Sequence, residues 1–172
     1  MQAFLRMTAT VVLSGLSAFG QTVPPPIVIE RVTVIDVATG QRRPGMSVLI
    51  REGKIAQVDS RVATPHGAIR VNGAGKFLIP GLWDMHTHHQ ASGISSLGLF
   101  IAKGVTGTRD MGGDLDFILP LRDRIRSGEL LGPEIVSAGP ILDDAPQFPF
   151  RLRITNADEA RKAVRELKAR GG

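Results

Sequence analysis

The sequence predicts an α/β protein in which a small β domain is followed by repeated strand–helix units. Between residues 27 and 79, short segments rich in β-branched residues alternate with glycine turns, which favours a small β-sandwich or half-barrel. From Leu82 onward, apolar strands alternate with helical patterns. Three such units in succession predict a parallel sheet with right-handed crossovers, and we assign them to residues 80–172.

The composition limits the chemistry that the chain can perform. Of the 172 residues, 42% are hydrophobic and 22% are charged, which is typical of a globular protein. The absence of cysteine excludes disulfides, thiol chemistry and cysteine-ligated zinc. Any metal must therefore be bound by nitrogen and oxygen ligands.

The chain is basic, with a net charge of +5, which is compatible with binding to nucleic acid or to an anionic membrane. The basic residues, however, are interleaved with acidic ones, as in Arg122-Asp123-Arg124. Aromatic residues make up only 5% and tyrosine is absent, so the chain has few side chains on which nucleic-acid bases could stack. We therefore expect no nucleic-acid partner.

The first twenty residues have the pattern of a cleaved secretory signal. Arg6 is followed by an uncharged, apolar run over residues 8–19 and by the small residues Ala18 and Gly20. The run is short for a membrane span, which needs roughly 20 apolar residues. An uncleaved anchor or an unstructured N-terminus are the alternatives. We expect an exported chain, periplasmic or secreted, that begins near Gln21 and keeps no stable membrane anchor.

The predicted elements follow in order along the chain. A proline-rich linker, 21–26, leads into the β domain. Its predicted strands are 27–37, 46–51 and 54–58, the last two joined at Glu52-Gly53, and a further short pair formed by 69–71 with 76–79. Strands 82–86, 105–110 and 135–138 belong to the strand–helix units, with a weak helical pattern over 94–101 and a long loop over 139–153. Helices are expected after the caps Asp114 and Asn156.

The first strand of the second part ends in closely spaced imidazoles. On a strand, His86 and His88 point to the same side, about 6.6 Å apart at Cα, and can converge on one metal ion. Asp84 shares their parity and is expected to orient a ligand from behind. His89 has the opposite parity, so we expect it to face away or to begin the loop.

The spacing alone leaves metal binding and surface histidines as open alternatives. A zinc site for hydrolysis needs about three protein ligands and an open position. The further histidine in this chain, His66, lies in a predicted loop of the β domain.

The ordered set of motifs is more specific than the histidine pair. The segment Pro80-Gly81-Leu82-Trp83-Asp84-Met85-His86-Thr87-His88 resembles the Pro-Gly-x-x-Asp-x-His-x-His signature of the amidohydrolase superfamily. Segments 48–58 and 71–76 are similar to the β segment that precedes it in that family. Segments 104–113 and 132–140 are similar to the second and third barrel strands of its imidazolonepropionase-like and prolidase-like branch.

The resemblance implies a (β/α)₈ barrel carrying a β-sandwich that is built from both chain ends. It implies that His86 and His88 bind a divalent metal, most often zinc, in a site of one or two ions. It also implies hydrolysis of a carbon–nitrogen bond in an amide, cyclic amide or peptide by a metal-activated water. The substrate would be a small molecule or a short peptide.

Several family residues have no counterpart in this sequence. These are the bridging lysine or carboxylate of strand four, the histidines of strands five and six and the aspartate of strand eight. By motif, Asp110, Asp143 and Asp144 do not replace them. We expect Asp110 to be a strand-end loop carboxylate and Asp143 and Asp144 to lie in a solvated turn or in an active-site loop.

These departures lead us to expect a truncated chain. A closed barrel takes roughly 250 residues, whereas the segment from Leu82 onward is about three units long. We expect an inactive N-terminal fragment with no catalytic residue of its own and with substrate-binding residues unknown. The alternative is a non-catalytic, β-rich binding module with an incomplete barrel. Such a module would cover the open edge of its third strand with a partner or a second copy, so a homo-oligomer stays open.

Overall fold

The computed structural model describes residues 24–144 and 150–172, and these form a mixed α/β chain. The described residues divide into two compact units, with the boundary between Ile79 and Pro80. The predicted signal segment, 1–20, and the first half of the predicted linker lie outside the described residues, so export stays a prediction. Within the described ranges, no helix has the length and apolar character needed to span a membrane.

The first unit contains a five-stranded sheet. Its strands are β1 (Ile27–Ile35), β2 (Arg42–Arg51), β3 (Lys54–Asp59), β4 (Ile69–Asn72) and β5 (Phe77–Leu78). They are ordered β3-β2-β1-β4, with β5 also paired to β1. The predicted hairpin at Glu52-Gly53 is confirmed, because β2 and β3 are antiparallel with Arg51 opposite Lys54. The described residues of this unit form one sheet, and they do not include a second sheet that would complete the predicted sandwich.

The predicted pairing of segments 69–71 and 76–79 with each other is wrong. Both β4 and β5 pair in parallel with β1, through Ile27 opposite Ile69 and Thr33 opposite Phe77. The connection stays close to β1, because the Gly73 N–H donates to the Glu30 carbonyl at 2.7 Å. A Cβ at Gly73 would lie 2.7 Å from the Val32 Cβ, so only glycine allows this approach. The two strands therefore run along the same edge of β1.

The second unit is built on a three-stranded parallel sheet. Its strands are β6 (Leu82–Thr87), β7 (Val105–Asp110) and β8 (Glu134–Ser137), in the order β6-β7-β8. Helices α1 (His89–Ser92), α2 (Leu97–Ala102), α3 (Leu115–Arg126) and α4 (Ala157–Arg170) follow the strands, with a 3₁₀ turn before α2. The predicted alternation of strand and helix is thus confirmed, with an additional helical turn immediately after His88.

The long loop predicted over 139–153 contains two short strands. These are β9 (Ile141–Asp143) and β10 (Arg151–Arg153), which pair in parallel. The Ile141 N–H donates to the Phe150 carbonyl at 3.0 Å, and Arg151 forms an ion pair with Asp143. Strands of three residues are too short to show a periodic pattern, so this pairing could not be predicted from the sequence.

A compact apolar cluster supports the parallel sheet on one side. Its fully buried members come from α2, α3 and β8, and they are Leu97, Ile118, Leu121 and Ile135. Helix α3 begins where predicted, because the Asp114 carboxylate accepts a hydrogen bond from the Asp116 N–H at 2.9 Å. Burial of these side chains, at roughly 25 cal/mol per Å² of apolar surface, holds the helices against the strands.

The last helix, α4, begins after the predicted cap residue, Asn156. The Asn156 side chain accepts hydrogen bonds from the Asp158 and Glu159 N–H groups, at 3.1 and 3.0 Å. The Glu159 carboxylate reaches back to the N–H and hydroxyl of Thr155, at 2.8 and 2.9 Å, rather than to Asn156. Several orphan donors near the start of the helix are thereby satisfied.

Replacing the cap residue of α4 should destabilise the second unit. We expect Asn156→Ala to lower the free energy of unfolding by about 1 kcal/mol, because two backbone N–H groups lose their acceptor. Urea denaturation followed by circular dichroism measures this change. Asn156→Asp keeps the acceptor and should lie near wild type. Equal losses in both variants would contradict the capping role.

The stability of the same helix should depend on pH through Glu159. Hydrogen bonds from the Thr155 backbone N–H and then from its hydroxyl lower the pKa of this carboxyl in the folded chain. Its contribution is therefore complete above the ordinary glutamate pKa, about 4.3, and is lost as the pH falls through the lowered folded value.

Urea midpoints measured as a function of pH test this linkage. In Glu159→Gln, the midpoint should fall less on acidification below about pH 4.3 than in wild type. Glu166→Gln, on the same helix but away from its start, is the matched control and should follow the wild-type curve. A Glu159→Gln curve parallel to wild type would refute the linkage.

Candidate functional site

Two exposed imidazoles lie together at the end of β6. The His86 and His88 rings have centroids 5.2 Å apart and an interplanar angle of 68°. Within the described part of the chain, neither ring forms a hydrogen bond to another residue. Their nitrogens are therefore available to an external ligand.

The register of β6 against β7 is irregular just where the histidines occur. Asp84 lies opposite Thr108 and Thr87 lies opposite Asp110. An advance of three residues along β6 therefore corresponds to an advance of two residues along β7. The strict alternation assumed from the sequence is therefore interrupted between Asp84 and Thr87. His88 itself lies beyond the strand, directly before α1.

The half-buried Asp84 contacts the backbone of a histidine. Its Oδ1 atom accepts a hydrogen bond from the His86 N–H at 3.0 Å. This contact restrains the backbone at His86. The role of Asp84 in orienting a metal ligand stays a prediction.

His89 is buried, with 1% of its surface exposed, and it begins α1. Its Nε2 atom lies 2.8 Å from the Thr108 hydroxyl, and its ring makes an edge contact with Phe100. Burial lowers the pKa of His89, and this effect outweighs the negative charges of Asp110 and Asp84, which raise it. The ring is thus enclosed inside the unit, separate from the exposed pair.

Asp110 lies at the end of β7 as predicted, but it is fully buried and not in an open loop. Its carboxylate accepts hydrogen bonds from the His89 N–H at 2.8 Å and from the Gly112 N–H at 3.3 Å. A Cβ at Gly113 would lie 2.7 Å from the Asp110 Oδ1 atom. The sequence signal for this arrangement is an acidic strand end followed by two glycines, and the sequence interpretation did not use it.

The remaining candidates from the sequence are His66, Asp143 and Asp144. His66 belongs to the first unit. Asp143 forms an ion pair with Arg151, and Asp144 lies 3.8 Å from Arg153. Over residues 24–144 and 150–172, no group of three or more histidine, cysteine, aspartate or glutamate side chains is arranged to bind a metal. The described residues thus offer two imidazole donors, whereas a zinc site usually has three or four protein ligands.

Comparison with known sequences finds partial matches in metabolic enzymes. No family profile matches the chain. An N-acetylglucosamine-6-phosphate deacetylase of Lysinibacillus sphaericus is 40% identical over 65 residues, which cover 38% of this chain and 16% of the relative. An adenine deaminase of Desulfatibacillum aliphaticivorans is 36% identical over 73 residues, covering 42% and 12%. The matched segments therefore span less than a fifth of these relatives.

Comparison with solved structures covers most of the chain. A candidate prolidase from Bifidobacterium longum superposes with a TM-score of 0.74 at 26% identity, covering 87% of this chain and 39% of that one. A prolidase complexed with N-methylphosphonate-L-proline gives 0.70 at 22% identity, and a Xaa-Pro dipeptidase with bound methionine gives 0.68 at 20%. Each of these two is covered to 45% of its length, and at such identity they show the fold alone.

The sequence matches and the shared fold agree with the motif at Pro80–His88. The chain is similar to enzymes of the amidohydrolase superfamily, and it spans part of the length of the proteins it matches.

Proposed function

We propose that this chain carries the first part of the active site of a metal-dependent hydrolase that breaks carbon–nitrogen bonds. The observation that carries the proposal is the pair of exposed, unbonded imidazoles at the end of β6. The names of the relatives support the reaction class. Deacetylation of an N-acetyl group, deamination and cleavage by a prolidase each break a bond between carbon and nitrogen.

The two histidines fit the role of metal ligands in their chemistry. Imidazole nitrogen is a common zinc ligand, at roughly 2.0–2.1 Å, and the two rings lie close together with no competing partner. Asp84 restrains the backbone of His86, which limits the movement of that ligand. A bound divalent metal would activate water and polarise the bond to be hydrolysed. Zinc is the metal we propose, as one or two ions.

The parallel sheet is proposed to be the first part of a (β/α)₈ barrel. Its three strands carry helices between them, as barrel strands do, and His86 and His88 lie at the carboxyl end where barrel enzymes place their sites. The sheet of the first unit is proposed to contribute to a composite β-sandwich. The remaining ligands and the catalytic base would come from later strands.

The proposed substrate is a small molecule or a short peptide with an amide or cyclic amide bond. The prolidase and dipeptidase names of the structural relatives support this class. We also propose that the protein is exported, on the strength of the N-terminal pattern of Arg6 and the apolar run after it. With two metal ligands and no assigned base, the 172-residue chain by itself is proposed to be inactive.

A second candidate function rests on exposed apolar side chains at both edges of the parallel sheet. Leu82, Trp83 and Met85 on β6 are 47–49% exposed, and Val136 on β8 is 46% exposed. Edge strands with apolar side chains favour pairing with another chain. A non-catalytic module that associates through these edges would elute as an oligomer in size-exclusion chromatography, whereas the hydrolase proposal does not require one.

The metal proposal is tested by titrating the chain with zinc in a calorimeter. We expect weak binding that either His86→Ala or His88→Ala reduces about tenfold or more, equivalent to about 1.4 kcal/mol, because each variant removes one of two donors. His66→Ala, in the first unit, is the matched control and should bind as wild type does. Amide hydrolysis should be undetectable in all four proteins.

Two results would contradict these expectations in different ways. Tight stoichiometric zinc binding together with amide turnover would show that the chain contains a complete site. Binding that is absent, or equal in wild type and in the His86 and His88 variants, would remove the metal function.

A further inference from the structure

A buried carboxylate that the proposed metal site does not use lies beside the candidate histidines. Asp110 ends β7 and has 0% of its surface exposed. Burial of a charged group is costly unless hydrogen bonds compensate for the lost water. Here the compensation comes from two backbone N–H groups, those of His89 and Gly112.

These two N–H groups belong to the segments that follow two neighbouring strands. His89 lies directly after the candidate ligand His88, and Gly112 lies two residues after β7. The Asp110 side chain therefore bridges the carboxyl ends of β6 and β7. The distances are 2.8 Å to the His89 nitrogen and 3.3 Å to the Gly112 nitrogen.

Thr87, the residue before His88, is hydrogen-bonded to the same end of β7. The Met111 N–H donates to the Thr87 carbonyl at 2.9 Å, and the Thr87 hydroxyl donates to the Arg109 carbonyl at 3.1 Å. Thr87 and His89 thus both hydrogen-bond to residues 109–111. His88 lies between two fixed neighbours, with its exposed imidazole as the free group.

The buried ring of His89 strengthens this attachment. It lies against Phe100 and 2.8 Å from the Thr108 hydroxyl, which itself donates to the Glu134 carbonyl at 3.3 Å. A shift of the His89 backbone away from Asp110 would pull this ring out of its packed position. The Asp110 bond and the packing of the ring therefore act on the same residue.

Small residues make room for both groups. A Cβ at Gly112 would lie 3.3 Å from the Cε1 atom of His88, and one at Gly113 would lie 2.7 Å from the Asp110 Oδ1 atom. The Gly112-Gly113 pair thus lets the carboxylate and the imidazole approach the same turn of the chain.

We propose that Asp110 is a positioning residue that holds the backbone at His88, so that its imidazole stays beside that of His86. The inference rests on the proposed metal-binding function of the two histidines. A ligand whose backbone is already fixed loses less conformational freedom when a metal binds, and the affinity rises accordingly. Asp110 itself does not contact the metal in this proposal.

The test compares Asp110→Asn with wild type in the 172-residue chain. The variant keeps the shape of the side chain but offers one acceptor oxygen in place of two, so one of the two N–H groups loses its partner. We expect zinc affinity to fall about 10–100-fold, measured from the ¹⁵N resonances of the His86 and His88 rings. Hydrogen exchange at the His89 and Gly112 amides should become faster.

Two controls separate positioning from a general loss of stability. Asp116→Asn makes the same chemical change at an exposed site on α3. Leu121→Val weakens the apolar cluster without a change at Asp110. Both should keep the wild-type zinc affinity and the wild-type ring resonances, because neither alters the bonds to His89 and Gly112.

The outcomes distinguish this inference from the proposed function. Wild-type zinc affinity and unchanged amide exchange in Asp110→Asn would overturn the positioning role while the metal site stands. Ring resonances of wild type that do not respond to zinc would overturn the metal function, and with it the role of Asp110 toward a metal. If Asp110→Asn does not fold, hydrogen exchange in the wild-type protein tests the inference. Slow exchange at the His89 and Gly112 amides supports the bridge through Asp110. Exchange as fast as in an exposed loop overturns it.

Discussion

The parallel pairing of β6 with β7 is the constraint on which the candidate site depends. It brings the carboxyl ends of two strands to the same edge of the sheet, so that the segments after them can exchange hydrogen bonds. The irregular register near that edge, with Thr87 opposite Asp110, changes which side chains face outward. Without this pairing, the two exposed imidazoles and the buried carboxylate would not be held near one another.

The rest of the second unit keeps that pairing in place. The indole of Trp83 covers Gly107, where a Cβ would lie 2.2 Å from a ring atom, so the strands approach without a side chain between them. On the buried side, Leu97 and Ile118 pack with Ile135 of β8. Close packing of this kind resists small displacements, so the sheet holds the groups at its end in place.

Features that depend on local contacts could be predicted from the sequence, whereas features that depend on long-range contacts could not. The hairpin at Glu52-Gly53 and the caps Asp114 and Asn156 depend on contacts a few residues apart, and they were predicted. The parallel pairing of β4 and β5 with β1, and the strands β9 and β10, depend on partners distant in sequence, and they were not. At the site, the sequence pointed to His86 and His88 as candidates, but the predicted alternation failed at the irregular register that follows Asp84.

By itself, the sequence determined the alternation of strands and helices, the absence of thiol ligands and the motif that relates the chain to the amidohydrolases. These follow from residue type and spacing, which are local properties. Only the tertiary structure decided that Asp110 is buried, that it bonds to the backbone beside His88, and that His89 points inward. The reason is physical: burial and bridging hydrogen bonds depend on a neighbouring strand about twenty residues away, and the local pattern at Asp110 does not identify that partner.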